Sequence, residues 1–344
     1  MPIYYNTNLK SLSEKAIILL EHCIICPRKC GVNRLKGELG HCNTGKDAIV
    51  SSYYGPHFGE ESELVGTNGS GTLFFGYCNL NCVFCQNYDI SQLGNGNNVD
   101  TKELAEIMLK LQKMECHNIN LVSPTHIVPQ FLQALSIAKD KGLNLPIVYN
   151  SGGYDSVDTL KLLDGVIDIY MPDAKYGSSR PSAYSKDENL VSEYQEGRDS
   201  NEMGEKYSNV YPAPFDKVTE DKAKIRKSNS TQFDKRCGAG YFEINKSALK
   251  EMYRQVGDLV VNERGIAQRG LLVRHLVLPN RIAGSFEVLR FIAEEISKNT
   301  YVNIMDQYRP CYKADKFPEL SRRITSQELQ EVIDYAKNVG LHRI

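Results

Sequence analysis

The sequence predicts an α/β protein whose core is an open, partial barrel of six strand–helix units. Three observations lead to this fold class. From residue 71 onward, a short apolar strand is followed six times by an amphipathic helix, which is the pattern of a parallel sheet with helices outside it. A short polar run follows each predicted strand. The 344 residues, 41% of them hydrophobic, suffice for one large domain or two smaller ones.

The helices are predicted from apolar stripes and from capping signals. One stripe has the i, i+3, i+4, i+7 spacing that marks a helix face, and capping boxes begin at Asp100 and Thr325. The predicted units pair strand 72–76 with a helix near 101–115, 119–122 with 129–140, 146–149 with 156–163, 167–171 with a helix near 247–256, 271–278 with 285–298, and 301–305 with 326–338.

The polar runs after the strands are expected to meet at one rim. Right-handed crossovers place every strand-to-helix loop at the carboxyl end of a parallel sheet, where such folds carry their chemistry. Any single run is also what a turn requires, so their shared position is the informative feature. The runs are the cysteine segment from Cys78 to Cys85, Ser123-Pro-Thr-His126, Asn150-Ser-Gly-Gly153, Asp173-Ala-Lys175, Leu278-Pro-Asn280 and Asp306-Gln-Tyr-Arg309.

Strand 271–278 carries two neighbouring polar side chains, Arg274 and His275. Successive residues of a strand point to opposite faces, so only one of them can face the barrel interior. The sequence does not decide which. We expect His275 to be a buried, hydrogen-bonded histidine.

The first polar run contains three cysteines, Cys78, Cys82 and Cys85, spaced x3 and then x2. Three thiolates leave one iron of a four-iron cluster without a protein ligand, so that iron is free to take an outside ligand. A closed structural site normally has four protein ligands. A zinc knuckle and chance spacing are the alternatives.

A second cysteine group near the amino terminus supplies a complete set of four possible ligands. Cys23, Cys26, Cys30 and Cys42 lie on segments rich in glycine and proline. Four thiolates suit a closed zinc site or a second iron–sulfur cluster, and the pattern does not separate the two. The isolated Cys116, Cys237 and Cys311 are expected to be ordinary small apolar side chains.

Composition argues against nucleic-acid and membrane partners. The formal net charge is −1, so no bulk field favours a polyanion. No apolar run approaches the roughly 20 residues of a membrane span, and the first ten residues lack a secretory signal pattern. We therefore expect a cytoplasmic protein, in which ten cysteines point to metal or redox chemistry and not to disulfides.

Two regions are predicted besides the strand–helix units. Residues 1–70 form a Cys-rich N-terminal extension with a predicted metal site, and residues 71–344 form the core. Within the core, residues from about 176 to 240 are rich in polar residues, poor in aliphatic ones and without a period. We expect this segment to be a flexible insertion.

The cysteine triplet, with Phe84 before its last member and six strand–helix units around it, resembles the radical S-adenosylmethionine (SAM) superfamily. Within that superfamily the chain is similar to the PflX-type homologues of pyruvate formate-lyase activating enzyme. The segments that carry this similarity are Cys26 to Arg34, Gly37 to Cys42, Tyr54 to Glu61 and Cys78 to Asp89. The resemblance covers nearly the whole chain outside residues 176–240.

The resemblance implies a specific chemistry and a partial barrel of the radical SAM type. Cys78, Cys82 and Cys85 would hold a 4Fe–4S cluster whose fourth iron chelates the amino and carboxylate groups of SAM. One electron, from a reductant such as flavodoxin or ferredoxin, would cleave SAM to methionine and a 5'-deoxyadenosyl radical, which abstracts hydrogen from a substrate. The cofactor carries the reaction, and the protein supplies orientation and the exclusion of water.

The resemblance also suggests which side chains hold SAM. Asp173 and Lys175 match the Asp-x-Lys pattern after the fourth strand of activating enzymes. Those enzymes carry Gly-Gly-Glu after the second strand, where this chain has Ser123-Pro-Thr-His126. Ser123, Thr125 or His126 could offer lone pairs to the methionyl ammonium, and Ser123 is the candidate that we name. Asn150 and Ser151 are further cofactor candidates, followed by two glycines that permit close backbone approach.

We therefore expect a radical enzyme that installs or transfers a radical on a protein, as activators of glycyl radical enzymes do. One alternative is radical modification of a small molecule or a peptide. A second is a non-catalytic iron–sulfur or zinc protein that carries electrons or docks partners. The three-cysteine site argues against the second, since it wastes a coordination position unless something binds there.

Overall fold

The computed structural model describes residues 1–80, 82–177 and 241–344, and the strands in these ranges form one mixed sheet. Its order is β3-β1-β2-β4-β5-β6-β8-β7, with β9 also paired to β8. The strands are β1 (Ala48–His57), β2 (Ser70–Phe75), β3 (Asn97–Val99), β4 (Ile119–Val122), β5 (Ile147–Ser151), β6 (Ile169–Pro172), β7 (Val260–Val261), β8 (Ala267–Leu276) and β9 (Tyr301–Met305).

The core of this sheet is the predicted open barrel. Strands β2, β4, β5, β6, β8 and β9 are parallel and neighbour one another in that order. Strand β1 adds antiparallel to β2, and the short strand β7 adds antiparallel to β8. The prediction of a parallel α/β fold with six strand–helix units is confirmed.

Helices connect the parallel strands, as the apolar stripes predict. The described helices are α1 (Leu9–Ile18), α2 (Ser62–Val65), α3 (Tyr88–Ser91), α4 (Thr101–Lys113), α5 (Val128–Asp140), α6 (Val157–Leu162), α7 (Tyr241–Val256), α8 (Ser285–Phe291) and α9 (Ser326–Asn338). The side chain of Asp100 accepts hydrogen bonds from the first turn of α4, and Thr325 with Glu328 completes a capping box on α9.

Alternation along the strands separates a helix-facing side from the barrel lumen. Helix-facing residues such as Tyr149 and Leu271 belong to the main hydrophobic core. Lumen-facing residues form a smaller cluster around Leu64: Val148, Ile169, Met171 and Leu272, with Leu259 and Ala267. Two residues further along the same strands, the lumen is lined by polar side chains.

The N-terminal extension closes the lower end of the barrel, by which we mean the end formed by the amino ends of the parallel strands. Because β1 runs antiparallel to β2, with His57 opposite Ser70, the chain leaves β1 at the amino ends of the parallel strands. Residues 58–66, which we call the barrel plug, contain α2 and bury Leu64 completely in the lumen cluster. The Asn118 amide donates to the Leu64 carbonyl at 2.9 Å and fixes the plug.

The structure shows which of the two polar residues of β8, Arg274 and His275, faces the barrel lumen. His275 is fully buried on the helix side, where its ring nitrogens contact the Ala174 carbonyl and the Ser285 hydroxyl at 2.6 and 2.8 Å. The expectation of a buried, hydrogen-bonded histidine is confirmed. Arg274 consequently faces the lumen.

Two further sequence predictions concern membrane-spanning helices and the insertion at 176–240. No helix in the described ranges is both long enough and apolar enough to cross a membrane. The predicted insertion at 176–240 lies outside the described residues except for Tyr176 and Gly177, and so does Cys237.

Candidate active site

The cysteine triplet follows β2 at the carboxyl rim of the barrel. Tyr77 adopts a left-handed conformation, φ 62°, which turns the chain away from the strand directly before Cys78. The N–H of Cys85 then donates to the carbonyl of Cys82 at 3.2 Å, and α3 begins three residues later. The three thiols are therefore displayed on one short, hydrogen-bonded loop.

Each thiol of the triplet has a polar neighbour. The Leu80 N–H donates to Cys78 Sγ at 3.4 Å, and the Tyr176 hydroxyl lies 3.6 Å from Cys82 Sγ. Cys85 Sγ and Ser91 Oγ share a hydrogen bond at 3.0 Å. Burial raises the pKa of Cys78 to about 12 and also raises the pKa of Cys82, so bound metal would be needed to hold these thiols as thiolates.

An apolar wall covers the inner side of the triplet. Phe84 packs edge-on against Tyr176 and Tyr308, with ring centroids 6.1 and 5.9 Å apart. These rings, together with Leu80 and Cys82, belong to one buried cluster. Such a shell limits solvent access to whatever the thiols bind and affects its redox potential.

The donor set of this loop fits an iron–sulfur cluster with one open iron, since three thiols lie on one loop beside an apolar wall. Within the described ranges, no three Cys, His, Asp or Glu side chains gather as ligands of a single metal ion. A four-iron cluster sets a different requirement, because each of its protein thiolates binds an iron atom of its own.

Asp173 and Lys175, predicted from the sequence as a pair, contact each other at the same rim. Burial alone would lower the pKa of Lys175, but Asp173 and the Cys82 thiol raise it, so the ammonium stays charged. Burial alone would raise the Asp173 pKa, yet Arg274 and Lys175 bring it below its usual value. The result is a buried carboxylate with two cations beside the cysteine loop.

Asn150 lies next to this pair, whereas Ser151 points away from it. Arg274 Nη2 donates to Asn150 Oδ1 at 2.7 Å, which brings the ends of β5 and β8 together. The Ser151 hydroxyl donates to Asp155 Oδ2 at 2.7 Å on the helix side of the sheet. Only Asn150 therefore shares the lumen side with Asp173, and the cofactor roles of both residues stay predictions.

The segment after β4 contributes less to the rim than its polar sequence suggests. Ser123 has a left-handed backbone, φ 60°, and its N–H donates to the Asn150 carbonyl at 2.8 Å. Thr125 donates to Asp155 at 2.7 Å, and the His126 ring is buried with Nε2 3.0 Å from the Gly76 carbonyl. Burial lowers the His126 pKa to about 3. Ser123 remains the rim candidate of this segment.

The four N-terminal cysteines surround one cavity. Cys23, Cys26, Cys30 and Cys42 all line it. The His41 N–H donates to Cys30 Sγ at 3.4 Å. Burial raises the pKa of Cys26 and of Cys30, and the neighbouring thiols of the group raise both further.

Two arginines border this cavity, and one connects it with the triplet. Arg28 Nε donates at 2.9 Å to the carbonyl of Asn79, the residue after Cys78. Arg34 is 1% exposed, and its Nη2 is buried without a hydrogen-bond acceptor at the cavity wall. A buried guanidinium at a four-thiol cavity suits a negatively charged centre.

Glu60 and Glu61 of the barrel plug end a segment that carries the family similarity, but the sequence analysis assigned them no role in the site. Their side chains, 8% and 6% exposed, reach the lumen near Arg274. Burial raises the Glu60 pKa to about 7. The sequence signal that could have identified them is a pair of adjacent carboxylates before a short apolar turn. The same pattern is typical of a solvated loop.

The chain is similar to known proteins in three comparisons. Residues 72–191 match the family model of the radical SAM superfamily. The chain is 31% identical to an uncharacterized protein of Methanocaldococcus jannaschii, over 99% of this chain and 82% of that protein. It is also similar to the solved structure of native anSMEcpe with bound AdoMet and Cp18Cys peptide, with 10% identity and a TM-score of 0.42. That match covers 76% of this chain and 56% of the other.

Proposed function

Because this chain belongs to the radical SAM superfamily, we propose that Cys78, Cys82 and Cys85 bind a 4Fe–4S cluster at which SAM is reductively cleaved. The observation that carries this proposal is the position of the three thiols, on one loop at the carboxyl rim and beside the ammonium of Lys175. The triplet leaves room for SAM as the remaining iron ligand.

The cluster and SAM, when bound, supply a 5'-deoxyadenosyl radical that abstracts a hydrogen atom. The residues of the chain bind and shield the reacting molecules. Lys175 offers a charged donor to the SAM carboxylate, and Asp173 offers acceptors to its ammonium. Asn150 extends this polar edge, while Phe84 and Tyr176 exclude water on the other side of the loop.

The test is formation of 5'-deoxyadenosine by anaerobically reconstituted, dithionite-reduced protein supplied with SAM. The variant Cys82→Ala should abolish the product, because Cys82 is one of the three proposed cluster ligands. Cys116→Ala is the matched control, since Cys116 is buried away from the site. Product formation that survives Cys82→Ala would contradict the proposal.

For the substrate, we propose a protein that receives a glycyl radical, as in the activating enzymes that the sequence resembles. The partner would be an enzyme with an Arg-Val-x-Gly-Tyr-like loop near its carboxyl end, and a flavodoxin or ferredoxin would be the reductant. Anaerobic incubation with such a partner should produce an electron paramagnetic resonance signal of a glycyl radical. Radical modification of a peptide or a small molecule is the alternative, in which 5'-deoxyadenosine forms without that signal.

At the N-terminal cysteines we propose a second, closed metal centre with four thiolate ligands. Its support is the cavity lined by Cys23, Cys26, Cys30 and Cys42 and the buried Nη2 of Arg34 beside it. Metal and sulfide analysis of the Cys78→Ala/Cys82→Ala/Cys85→Ala variant separates the two chemistries. Zinc without sulfide indicates a structural site, for which the four thiols would have to move together, since no three of them gather as ligands of a single metal ion in the described ranges. Iron with sulfide indicates a second cluster, in which each thiolate binds an iron atom of its own. The absence of both would contradict this centre.

A further inference from the structure

Glu60 and Glu61, which we call the lumen acid pair, reach the barrel lumen from below. The plug that carries them is fixed by Leu64, which is fully buried among residues of β5, β6 and β8. Because β1 is antiparallel to β2, this loop begins at the end of the barrel opposite the cysteine rim. The lumen acid pair therefore approaches, from the opposite end of the barrel, the lumen-facing residues Arg274 and Asn150 of the candidate active site.

Arg274 lies near both carboxylates without a close bond to either. Its Nη1 is 3.7 Å from Glu60 Oε2 and 3.9 Å from Glu61 Oε1. The close hydrogen bonds of this guanidinium go elsewhere, from Nε to Asp173 at 3.0 Å and from Nη2 to Asn150 at 2.7 Å. Arg274 thus joins the lumen acid pair to the predicted cofactor residues while neutralising the pair only in part.

Within the part of the chain that the structure describes, several buried polar atoms around the lumen acid pair have no good hydrogen-bond partner. Glu61 Oε1 accepts from the Asn303 amide at 3.1 Å, but Glu61 Oε2 is unpaired. Asn120 is fully buried and faces Glu60 closely enough to lower its pKa, yet neither amide atom makes a hydrogen bond of good geometry. Unsatisfied buried groups of this kind commonly mark the place of a ligand or an ordered water.

Among the described residues, the charges around the lumen acid pair do not balance. Three acids, Glu60, Glu61 and Asp173, face two bases, Arg274 and Lys175, and both bases bond to Asp173. Burial raises the Glu60 pKa to about 7, Glu61 and Asp173 raise it as well, and Arg274 and Asn120 lower it. With this pKa, Glu60 is about half protonated at pH 7, so a proton partly offsets the excess negative charge.

We propose that the lumen acid pair is the recognition site for a cationic group, an alkylammonium or a guanidinium, on the substrate that receives the radical. The cation replaces the proton of Glu60 and donates to Glu61 Oε2 and to Asn120 Oδ1. Since Arg274 contacts both the pair and Asn150, a molecule held at the pair extends toward the cofactor residues. This inference rests on the proposed function for the chemistry that follows binding, but not for the binding itself.

Binding of agmatine to the full-length, cluster-free protein tests the inference, because agmatine carries both an ammonium and a guanidinium. N-carbamoylputrescine, in which a neutral urea replaces the guanidinium, is the comparison probe. Isothermal titration calorimetry should show agmatine binding about tenfold more tightly at pH 8 than at pH 6, with release of a proton at pH 6, because Glu60 must deprotonate there. Weaker binding of N-carbamoylputrescine would assign the site to the guanidinium. Equal binding would assign it to the ammonium, which both probes carry.

Variants separate recognition from a general effect of the plug. Glu60→Gln should remove the pH dependence and weaken agmatine binding at least tenfold, and Glu61→Gln should weaken it at both pH values. Glu63→Gln is the control within the same barrel plug, since Glu63 bonds to Ser62 and Tyr301 outside the pair. Circular dichroism and thermal unfolding verify that each variant is folded.

Three results would overturn the inference: no binding of agmatine at either pH, binding that both Glu60→Gln and Glu61→Gln leave unchanged, or competition between agmatine and SAM in the cluster-loaded protein. The last result would assign the lumen acid pair to the ammonium of SAM. Because the main measurement uses cluster-free protein, its failure is distinguishable from a failure of SAM cleavage.

Discussion

Arg274 donates from Nε to Asp173 Oδ1 at 3.0 Å and thereby joins β8 to β6. The backbone pairing of these two strands is short, with Ile169 opposite Gly270 and Tyr170 opposite Leu271, and the Asp173–Arg274 bridge extends it to the rim. Lys175 contacts the other oxygen of the same carboxylate. The position of Lys175 beside the cysteine loop therefore depends on an ion pair between two strands.

Removal of that ion pair should destabilise the fold. We expect Arg274→Met to lower the free energy of unfolding by about 3–5 kcal/mol, because it leaves the lumen acid pair without its nearby cation and leaves Asp173 with Lys175 alone. Urea denaturation followed by circular dichroism measures the change. Arg281→Met is the control: its exposed pair with Glu331 should contribute no more than about 1 kcal/mol. Equal effects of the two substitutions would contradict the role of Arg274.

Loss of the Lys175 ammonium should weaken cofactor binding. We expect Lys175→Met to raise the Kd for SAM about 10- to 100-fold in the cluster-loaded protein, which is the usual contribution of a hydrogen bond to a charged group. Calorimetric titration with SAM measures it. Lys313→Met, at a rim residue whose ammonium lies over the Tyr312 ring, should leave the Kd unchanged. An unchanged Kd in Lys175→Met would remove this residue from the SAM site.

The fold was predictable because its signals are local and periodic. Strands 119–122 and 301–305 lie at the predicted residues, and α9 begins at the predicted capping box. The lumen acid pair was not predictable. Its position depends on the antiparallel course of β1, and no local pattern indicates that a polar loop after a strand enters a barrel from below.

The alternation of side chains along a strand limits which of the two cofactor candidates on β5 can face the lumen. Neighbouring strand residues point to opposite faces, so Asn150 and Ser151 cannot both line the lumen. The structure directs Asn150 toward Arg274 and Ser151 toward Asp155. Alternation alone does not say which of the two residues faces the lumen, because one residue of the strand must first be assigned to a face. In β5 that residue is Val148, which packs against Leu64 in the lumen.

Leu64 should be the main apolar anchor of the barrel plug. Leu64→Ala leaves a cavity among fully buried side chains, and we expect it to reduce the free energy of unfolding by about 2–5 kcal/mol. Leu93→Ala, at a side chain that is 59% exposed, should cost far less. Hydrogen exchange of residues 58–66 should accelerate in the first variant only. Unchanged exchange there would show that the plug is held by other contacts.

Gly153 should be required for the position of Asp173. Its φ of 69° is unfavourable for other residues, and an added Cβ would collide with the Asp173 carbonyl and the Asn245 amide. We expect Gly153→Ala to lower the melting temperature and to weaken SAM binding. Gly142→Ala is the matched control, because φ there is 92° but no atom lies within 4 Å of the added Cβ. A similar loss of SAM affinity in both variants would mean that backbone strain, and not displacement of Asp173, is the cause.

His275 should make stability depend on acid pH. The Ala174 carbonyl can only accept a hydrogen bond, so His275 Nδ1 carries the proton and Nε2 accepts from the Ser285 hydroxyl. Burial lowers the His275 pKa to about 4, below the value of about 6.5 in the unfolded chain. The stabilisation is therefore present above pH 6.5 and is lost as the pH falls toward 4, by about 2 kcal/mol at pH 4.5.

Urea unfolding of the wild type and of His275→Gln from pH 7.5 to 4.5 measures the difference, and His342→Gln is the exposed control. Because protonation at Nε2 would place a positive charge in a fully buried site, the wild type should lose stability more steeply than His275→Gln, and parallel pH profiles would contradict this assignment.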